Sequence, residues 1–364
     1  MIHKIKLFVL NLIAAVNVVA VLLLIAVGYS DHLHPEDYPL LACVGMLFPF
    51  VAVANLVFIP VWVFLSWKRL LIPVIGFLLA YPAIRVYLPL HGKSQPADDA
   101  ICVVSYNVCT YGGNYKYDHA FDTIFTYLKD HQADIVCCQE DYFSKSKKNT
   151  GDFSKYYPYN DTVMVAGTSA RGYNYIGIHT RFPILRREVI LYHSQTNGSV
   201  AHFLQVGADT VIVINNHLES SHLTTDDRNR YQEMIQGDMK RDTAKAETVL
   251  LLNKLSKGMV IRSAQADSIH RYVMLHKDYP IILCGDFNDT PISYVRRRMA
   301  EGLTDCYVES GHGLGISFSR RGFNFRIDNM MCSSHFKPVS AKVDHDMDAS
   351  DHYPLLCWLK FSGR

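Results

Sequence analysis

Of the 364 residues, 49% are apolar, and 36 basic against 34 acidic side chains give a formal net charge of +2. Abundant Leu, Ile, Val and Phe with modest Gly and Pro exclude collagen-like, disordered and disulfide-scaffold chains, and the length allows one large domain with an extra region. Charge is unevenly placed: positions 1–90 hold eight of the 70 charged residues, while positions 91–364 carry 31 of each sign and balance to zero. The first quarter is therefore no ordinary soluble surface, and the remainder lacks the basic surplus usual in proteins that grip long nucleic acids.

Leu7–Tyr29 is 23 residues without a charge, enough at 1.5 Å per residue to span about 34 Å. Tyr38–Trp67 is a second uncharged run, of 30 residues, and Leu70–Leu90 a third, broken only by Arg85. These predict a transmembrane region over 1–90 with helices at about 7–29, 40–66 and 70–90. A signal peptide competes for the first run, since Lys4 and Lys6 precede it and Ala26-Val27-Gly28 faintly resembles a processing site. The positive-inside rule places Lys4, Lys6, Lys68 and Arg69 in the cytoplasm and the acidic loop Asp31–Asp37 outside. Three spans then deliver the rest of the chain to the extracytoplasmic side of the inner membrane; a third segment lying flat would keep it cytoplasmic.

A polar linker over 91–100 leads into 101–364, where short β-type runs recur at Ile101–Tyr106, Ile135–Cys138, Val211–Ile214, Ile281–Cys284, Met330–Cys332 and Leu355–Phe361. Helical stretches are expected at Phe121–His131, Asp226–Lys257 and Ile292–Ala300. The pattern predicts an α/β domain of two packed sheets with helices outside. No CxxC pair with zinc-site spacing occurs, and cysteines inside apolar runs are expected to be buried thiols.

The strands end alike. They run into Asn107, Glu140, His217 and Asp286 with Asn288, while Asp328 and Asp351-His352 add similar groups near the C-terminus. Strand ends gather at one edge of a sheet, so these carboxylates, amides and imidazoles are expected to meet in one cleft. Oxygen-rich ligation suits Mg²⁺, or Mn²⁺, better than zinc. A dication with His and Asn donors suits a phosphate ester attacked by water.

Ser105-Tyr-Asn107, Cys138-Gln-Glu140, Thr180-Arg-Phe-Pro-Ile184, Asn216-His217-Leu, Gly285-Asp-Phe-Asn288, Arg326-Ile-Asp328 and Ser350-Asp-His352 occur in this order over about residues 100–361. Their ordered combination resembles the endonuclease/exonuclease/phosphatase superfamily. The resemblance implies a four-layer αββα sandwich and a metal-dependent phosphoesterase. It implies Glu140 as main metal ligand with Asn107 beside it and Asp351 in support. Asp286 would align or deprotonate the water, Asn288 hold a phosphate oxygen, His352 contact the phosphoryl group with Asp328 orienting it, and His217 act as second histidine. Two subfamily signatures fail. Asp289-Thr290-Pro291 replaces the aromatic-Arg of the 5-phosphatases, and Leu218-Glu219 the Thr-Gln of sphingomyelinases.

The expected activity is a membrane-anchored, Mg²⁺-dependent phosphodiesterase acting on a phospholipid head group or small phosphodiester. An extracytoplasmic nuclease on DNA or RNA and an inactive scaffold are the alternatives. The lipid bilayer is an expected partner through the N-terminal helices; no protein partner is expected. The charged stretch Asp226–Glu247 is read as a solvated helix or a lid, with Arg262 and Gln265 as possible substrate contacts. Lys145, Lys147, Lys148 and Lys155 are possible cleft-bordering phosphate collectors, and Arg181 is read as structural.

Overall fold

The computed structural model describes residues 2–92, 99–112, 119–142, 153–168, 172–320 and 323–362. The N-terminal apolar runs are helical. Ile2–Gly28 is one continuous helix, and Phe48–Leu65 a second, preceded by short helical turns over Pro39–Leu47. By length and composition both are able to cross a membrane, the second counted from Pro39.

The third run departs from a straight helix over 70–90. Leu71–Leu79 and Tyr81–Tyr87 form two helices bent by 60°. Pro82 lacks the N–H that would bond Leu78, and its ring would strike that carbonyl, which accounts for the break.

Polar groups tie the three runs at matching levels. Arg69 Nη2 donates to Asn11 Oδ1 at 2.6 Å, Trp62 Nε1 to Asn17 Oδ1 at 2.8 Å, and Tyr29 Oη to the Leu79 carbonyl at 3.0 Å. The third run thus travels from the level of Asn11 to that of Tyr29, so the loop 29–47 and the segment after Leu79 share one end of the helical region.

The rest of the chain packs against that end. His34 reaches Asp267 at 3.5 Å, Arg85 pairs with Glu309 at 2.6 Å, and Arg326 donates to the Val86 carbonyl. Gly45 is required for the approach, because a Cβ there would lie 2.1 Å from the Ile292 carbonyl oxygen. Of the linker over 91–100, His91 is docked through its backbone N–H to Gly311 O, and residues 93–98 lie outside the described residues.

The strands are β1 (Ile101–Asn107), β2 (Ile135–Gln139), β3 (Tyr159–Thr168), β4 (Gly172–Thr180), β5 (Ile184–Ile190), β6 (Gly198–Val206), β7 (Asp209–His217), β8 (Ile281–Asp286), β9 (Thr304–Asp305), β10 (Phe318–Arg320), β11 (Phe323–Phe325), β12 (Asp328–Cys332), β13 (Phe336–Val343) and β14 (Leu355–Phe361). They form two six-stranded sheets, ordered β13-β14-β1-β2-β4-β3 and β5-β6-β7-β8-β12-β9, and the hairpin β10-β11. Period-two alternation builds the layers. Val103, Ile135, Cys137, Val213, Ile282, Cys284 and Met330 meet between the sheets. Val104 and Val136 face the helix Ala120–Asp130, and Ile212 and Leu283 face the helices Arg241–Leu275 and Tyr294–Met299. Helix, sheet, sheet and helix give the αββα sandwich expected from the sequence. All nine cysteines are free and buried.

The helix expected over Asp226–Lys257 is two. Thr224 and Asp227 form a capping box that starts Thr225–Gln236, and Gly237, at φ +79°, ends it. A separate helix then runs 35 residues from Arg241 to Leu275.

Candidate active site

Register explains why distant residues meet. β7, β8 and β12 are neighbours, with His217 opposite Asp286 and Asp286 opposite Asp328. In the facing sheet Asn107 is paired with Gln139, the residue before Glu140. Alternation carries the inter-sheet row Val213–His217, Cys284–Asp286 and Met330–Asp328 straight into the site. A buried polar layer separates this site from the apolar core: Gln139 Nε2 donates to Asn215 Oδ1 at 2.6 Å and to Ser105 Oγ at 3.3 Å. Gly285 permits the strand end, since a Cβ at its φ of +135° would lie 1.9 Å from Asn216 O. Glu140 and Asn288 follow their strands in left-handed conformations, at φ +55° and +52°, a costly geometry for non-glycine residues.

Asp286 is the hub. Its Oδ2 lies 3.3 Å from the Asn107 amide, which donates to it, 3.6 Å from His217 Nε2 and 3.7 Å from His352 Nε2. Its Oδ1 accepts the Asn288 backbone N–H at 2.8 Å. Burial raises the Asp286 pKa; His352 offsets part of that rise and Asp328 adds to it. His352 Nδ1 donates to Asp328 Oδ2 at 2.8 Å. Burial opposes a charged His352, but Asp328, then Asp286 and Asp351, outweigh it and raise the imidazole to about 10. The Ser317 hydroxyl fixes Asp328 in turn by accepting its backbone N–H at 3.0 Å.

The second histidine is held in the opposite state. Burial first, and then the neighbouring His352, lower His217 to about 3, so it is neutral. A chain of amides fixes its tautomer. Asn197 Nδ2 donates to the Leu218 carbonyl at 2.5 Å, which turns Asn197 Oδ1 toward the Asn174 amide. The Asn174 amino group then faces His217 Nδ1 at 3.2 Å, so that nitrogen accepts and Nε2 carries the proton toward Asp286. Neither asparagine was legible as a site residue in the sequence, because β4 and the loop before β6 approach His217 only in the folded sheets.

A cavity of about 350 Å³ opens over these groups, and Asn107, Glu140, His217, Asp286, Asn288, Asp351 and His352 all line it. Asp328 stands behind His352. The residues expected to converge therefore do. Asn288 spends one amide hydrogen on the Leu218 carbonyl at 2.9 Å, leaving the other for the cavity. Ser350 joins the two sides by donating to the Asn107 carbonyl at 2.7 Å.

A dication fits this donor set. Burial, and next the Asp351 carboxylate, raise the Glu140 pKa, a like-charge penalty that a bound cation removes. Asn107 Oδ1 accepts the Cys109 N–H at 3.1 Å and keeps a second lone pair. Asp286, Asp328 and His352 also bring potential ligand atoms within 4.8 Å of one another, as do Cys138, Asp141 and His179. In the first trio a proton already bridges His352 and Asp328. In the second, Asp141 is satisfied by Tyr111 Oη at 2.6 Å, Thr162 Oγ1 at 2.9 Å and His179 Nε2 at 3.1 Å.

The two expected contacts from the long helix separate. Gln265 is fully buried away from the cavity, accepting from Glu219 N at 2.9 Å and donating to His193 O at 3.1 Å. Arg262 lines the cavity yet is 1% exposed, bonded through Nε to Asp289 Oδ2 at 3.3 Å and through Nη1 to Glu219 O at 3.0 Å. Replacing it strands a buried carboxylate. Arg262→Met is expected to destabilise the fold by about 3–5 kcal/mol, a Tm loss of roughly 10 °C by thermal unfolding, with Asp289→Asn restoring part of it. Arg181 bonds Asp134 at 3.2 Å and is structural, as expected. Lys145, Lys147 and Lys148 lie outside the described residues; Lys155 is in the short helix Phe153–Tyr156 and not on the cavity.

Comparison with known proteins agrees with this geometry. Residues 104–352 match the model of the Endonuclease/Exonuclease/phosphatase family, and residues 8–87 match a domain of unknown function, DUF8431. No curated protein sequence matches the chain. Among solved structures, the human Nocturnin catalytic domain with bound sulfate is 16% identical with a TM-score of 0.53, covering 74% of this chain and 97% of that one. D. rerio TDP2 with single-strand DNA product is 15% identical with a TM-score of 0.51, covering 72% and 100%. A family protein from Bacteroides thetaiotaomicron is 16% identical with a TM-score of 0.50, covering 74% and 100%. At these identities the likeness is one of fold. With the family's motifs spread across more than half its length, this chain belongs to the endonuclease/exonuclease/phosphatase family of metal-dependent phosphoesterases.

Proposed function

We propose that the chain is a membrane-anchored, Mg²⁺-dependent phosphodiesterase that hydrolyses its substrate by attack of water on phosphorus. The observation that carries this reading is geometric: His217 Nε2 and His352 Nε2 lie 3.6 and 3.7 Å from one carboxylate oxygen of Asp286, in a cavity that Glu140, Asn107 and Asp351 also line. Glu140 and Asn107, supported by Asp351, would hold the dication. When bound, it supplies charge neutralisation and polarisation at the phosphoryl oxygens.

The chain's own groups do the rest. Asp286 orients the water and takes its proton, and its raised pKa makes it a better base than an exposed carboxylate. The His352 imidazolium, oriented by Asp328, bonds a phosphoryl oxygen whose charge grows toward the transition state. Asn288 gives its remaining amide hydrogen to another oxygen, and neutral His217 donates from Nε2.

The apolar helices support the anchoring, and the charge distribution supports the sidedness. Lys4, Lys6, Lys68 and Arg69 belong to the end of the helical region remote from the catalytic part, as the Arg69–Asn11 contact indicates. Counting the bent pair as one span gives three crossings, and with that end cytoplasmic the domain over 101–364 would lie on the extracytoplasmic side. A nuclease reading draws on the same chemistry, but the balanced charge of residues 91–364 gives it no extended basic track.

Hydrolysis of a phosphodiester in ¹⁸O-water tests the reaction type. The label is expected in the phosphorus-containing product; label in the alcohol would place the attack on carbon.

A further inference from the structure

The cavity is lined by two chemically different sets of side chains. One is the array of carboxylates and imidazoles. The other is apolar, built by Leu223, Met259, Phe323, Phe325 and, from the N-terminal region, Met46. Met46 lies two residues before Phe48, where the second apolar helix begins. It packs with Leu255 and Met259 of the long helix, and Cys43 beside it touches Met259 Sδ at 3.5 Å. Its neighbours Leu47 and Phe50 are 51% and 67% exposed, on a segment with no charge between Tyr38 and Trp67. Exposed apolar side chains of that segment therefore adjoin, in sequence, a residue that lines the phosphoester cavity. Arg228, its guanidinium 5.6 Å from the Phe318 ring, adds a cation at the cavity.

Resting on the hydrolase reading above, we infer that the membrane region forms one wall of the substrate cavity and that the occupant is a membrane phospholipid. Its phosphodiester meets Asp286 and His352, while its glycerol and first acyl methylenes lie against Met46, Met259 and Phe323. A volume of about 350 Å³ suits a head group with the start of its tails, the remaining chain staying in the bilayer. The link from sequence to function here is Gly45, whose lack of a side chain lets the Met46 turn close onto Ile292.

The test uses the full chain in phospholipid nanodiscs with Mg²⁺. It compares kcat/KM for dihexanoylphosphatidylglycerol with that for tail-less glycerophosphoglycerol and for a single-stranded oligonucleotide. Burial of a few methylenes predicts a preference of about tenfold or more for the tailed diester. Met46→Glu should collapse that preference and Met46→Leu retain it. Equal rates with and without tails, a preference untouched by Met46→Glu, or an oligonucleotide cleaved faster than either would overturn the inference while leaving the phosphoesterase intact. If no diester is cleaved, the hydrolase reading fails and binding decides. Phe325→p-benzoylphenylalanine, on the hairpin wall, should photolabel with phospholipid, and absence of labelled lipid would overturn the proposal by itself.

Discussion

His352→Ala is expected to lower phosphodiester turnover by about 10²–10³ or more, the usual consequence of removing a charged donor aimed at the transition state. The effect should fall on kcat, since the charge it stabilises is largest at the transition state. The protonation of His352 makes a sharper forecast. It acts as a cation, so activity should persist through neutral pH and fall as pH rises through about 10. Asp328→Asn removes the leading charge that raises it, so the alkaline limb should move toward neutrality while the cavity stays intact. On the acid side Asp286 must be ionised, and its raised pKa places that limb above the ordinary carboxylate range. A pH–rate profile with an unmoved alkaline limb in Asp328→Asn would separate His352 from the chemistry.

Glu140→Gln should have a comparable effect by a different route. The change keeps the shape and removes the charge that the adjacent Asp351 penalises and a dication favours. Folding should be retained and Mg²⁺ affinity lost. Calorimetric titration is expected to show the weakened binding, and turnover should fall to background at Mg²⁺ levels that saturate the native chain. Unchanged metal affinity would remove Glu140 from the ligand set.

Most of the site was legible because strand parity and strand ends are local properties. Alternation in Ile281–Cys284 fixes the face of Asp286, and the same logic fixes His217 and Asn107. The amides that hold His217 were not legible, because Asn174 and Asn197 belong to segments whose approach depends on sheet order. Met46 was hidden for another reason: within a long apolar run, composition records compatibility with lipid but not which residue turns toward a neighbouring domain. The helix from Arg241 to Leu275 differs at both ends from the stretch expected over Asp226–Lys257. Gly237 is an available stop signal inside the charged stretch, and the run past Lys257 carries Arg262 and Gln265, polar residues whose burial depends on Asp289 and Glu219. The bend near Ala80 was written in Pro82, but hydropathy alone does not register it.

If side chains from separate strand ends assemble one dication-dependent phosphoesterase centre, turnover requires both the ion and the carboxylate that holds it. The most direct measurement is the hydrolysis rate of bis(p-nitrophenyl) phosphate by the purified full chain, stripped with EDTA and then titrated with Mg²⁺. No turnover is expected in EDTA, with a saturable recovery on Mg²⁺ addition that Glu140→Gln does not show. Turnover that continues undiminished in EDTA, or that Glu140→Gln recovers equally well, would contradict that requirement.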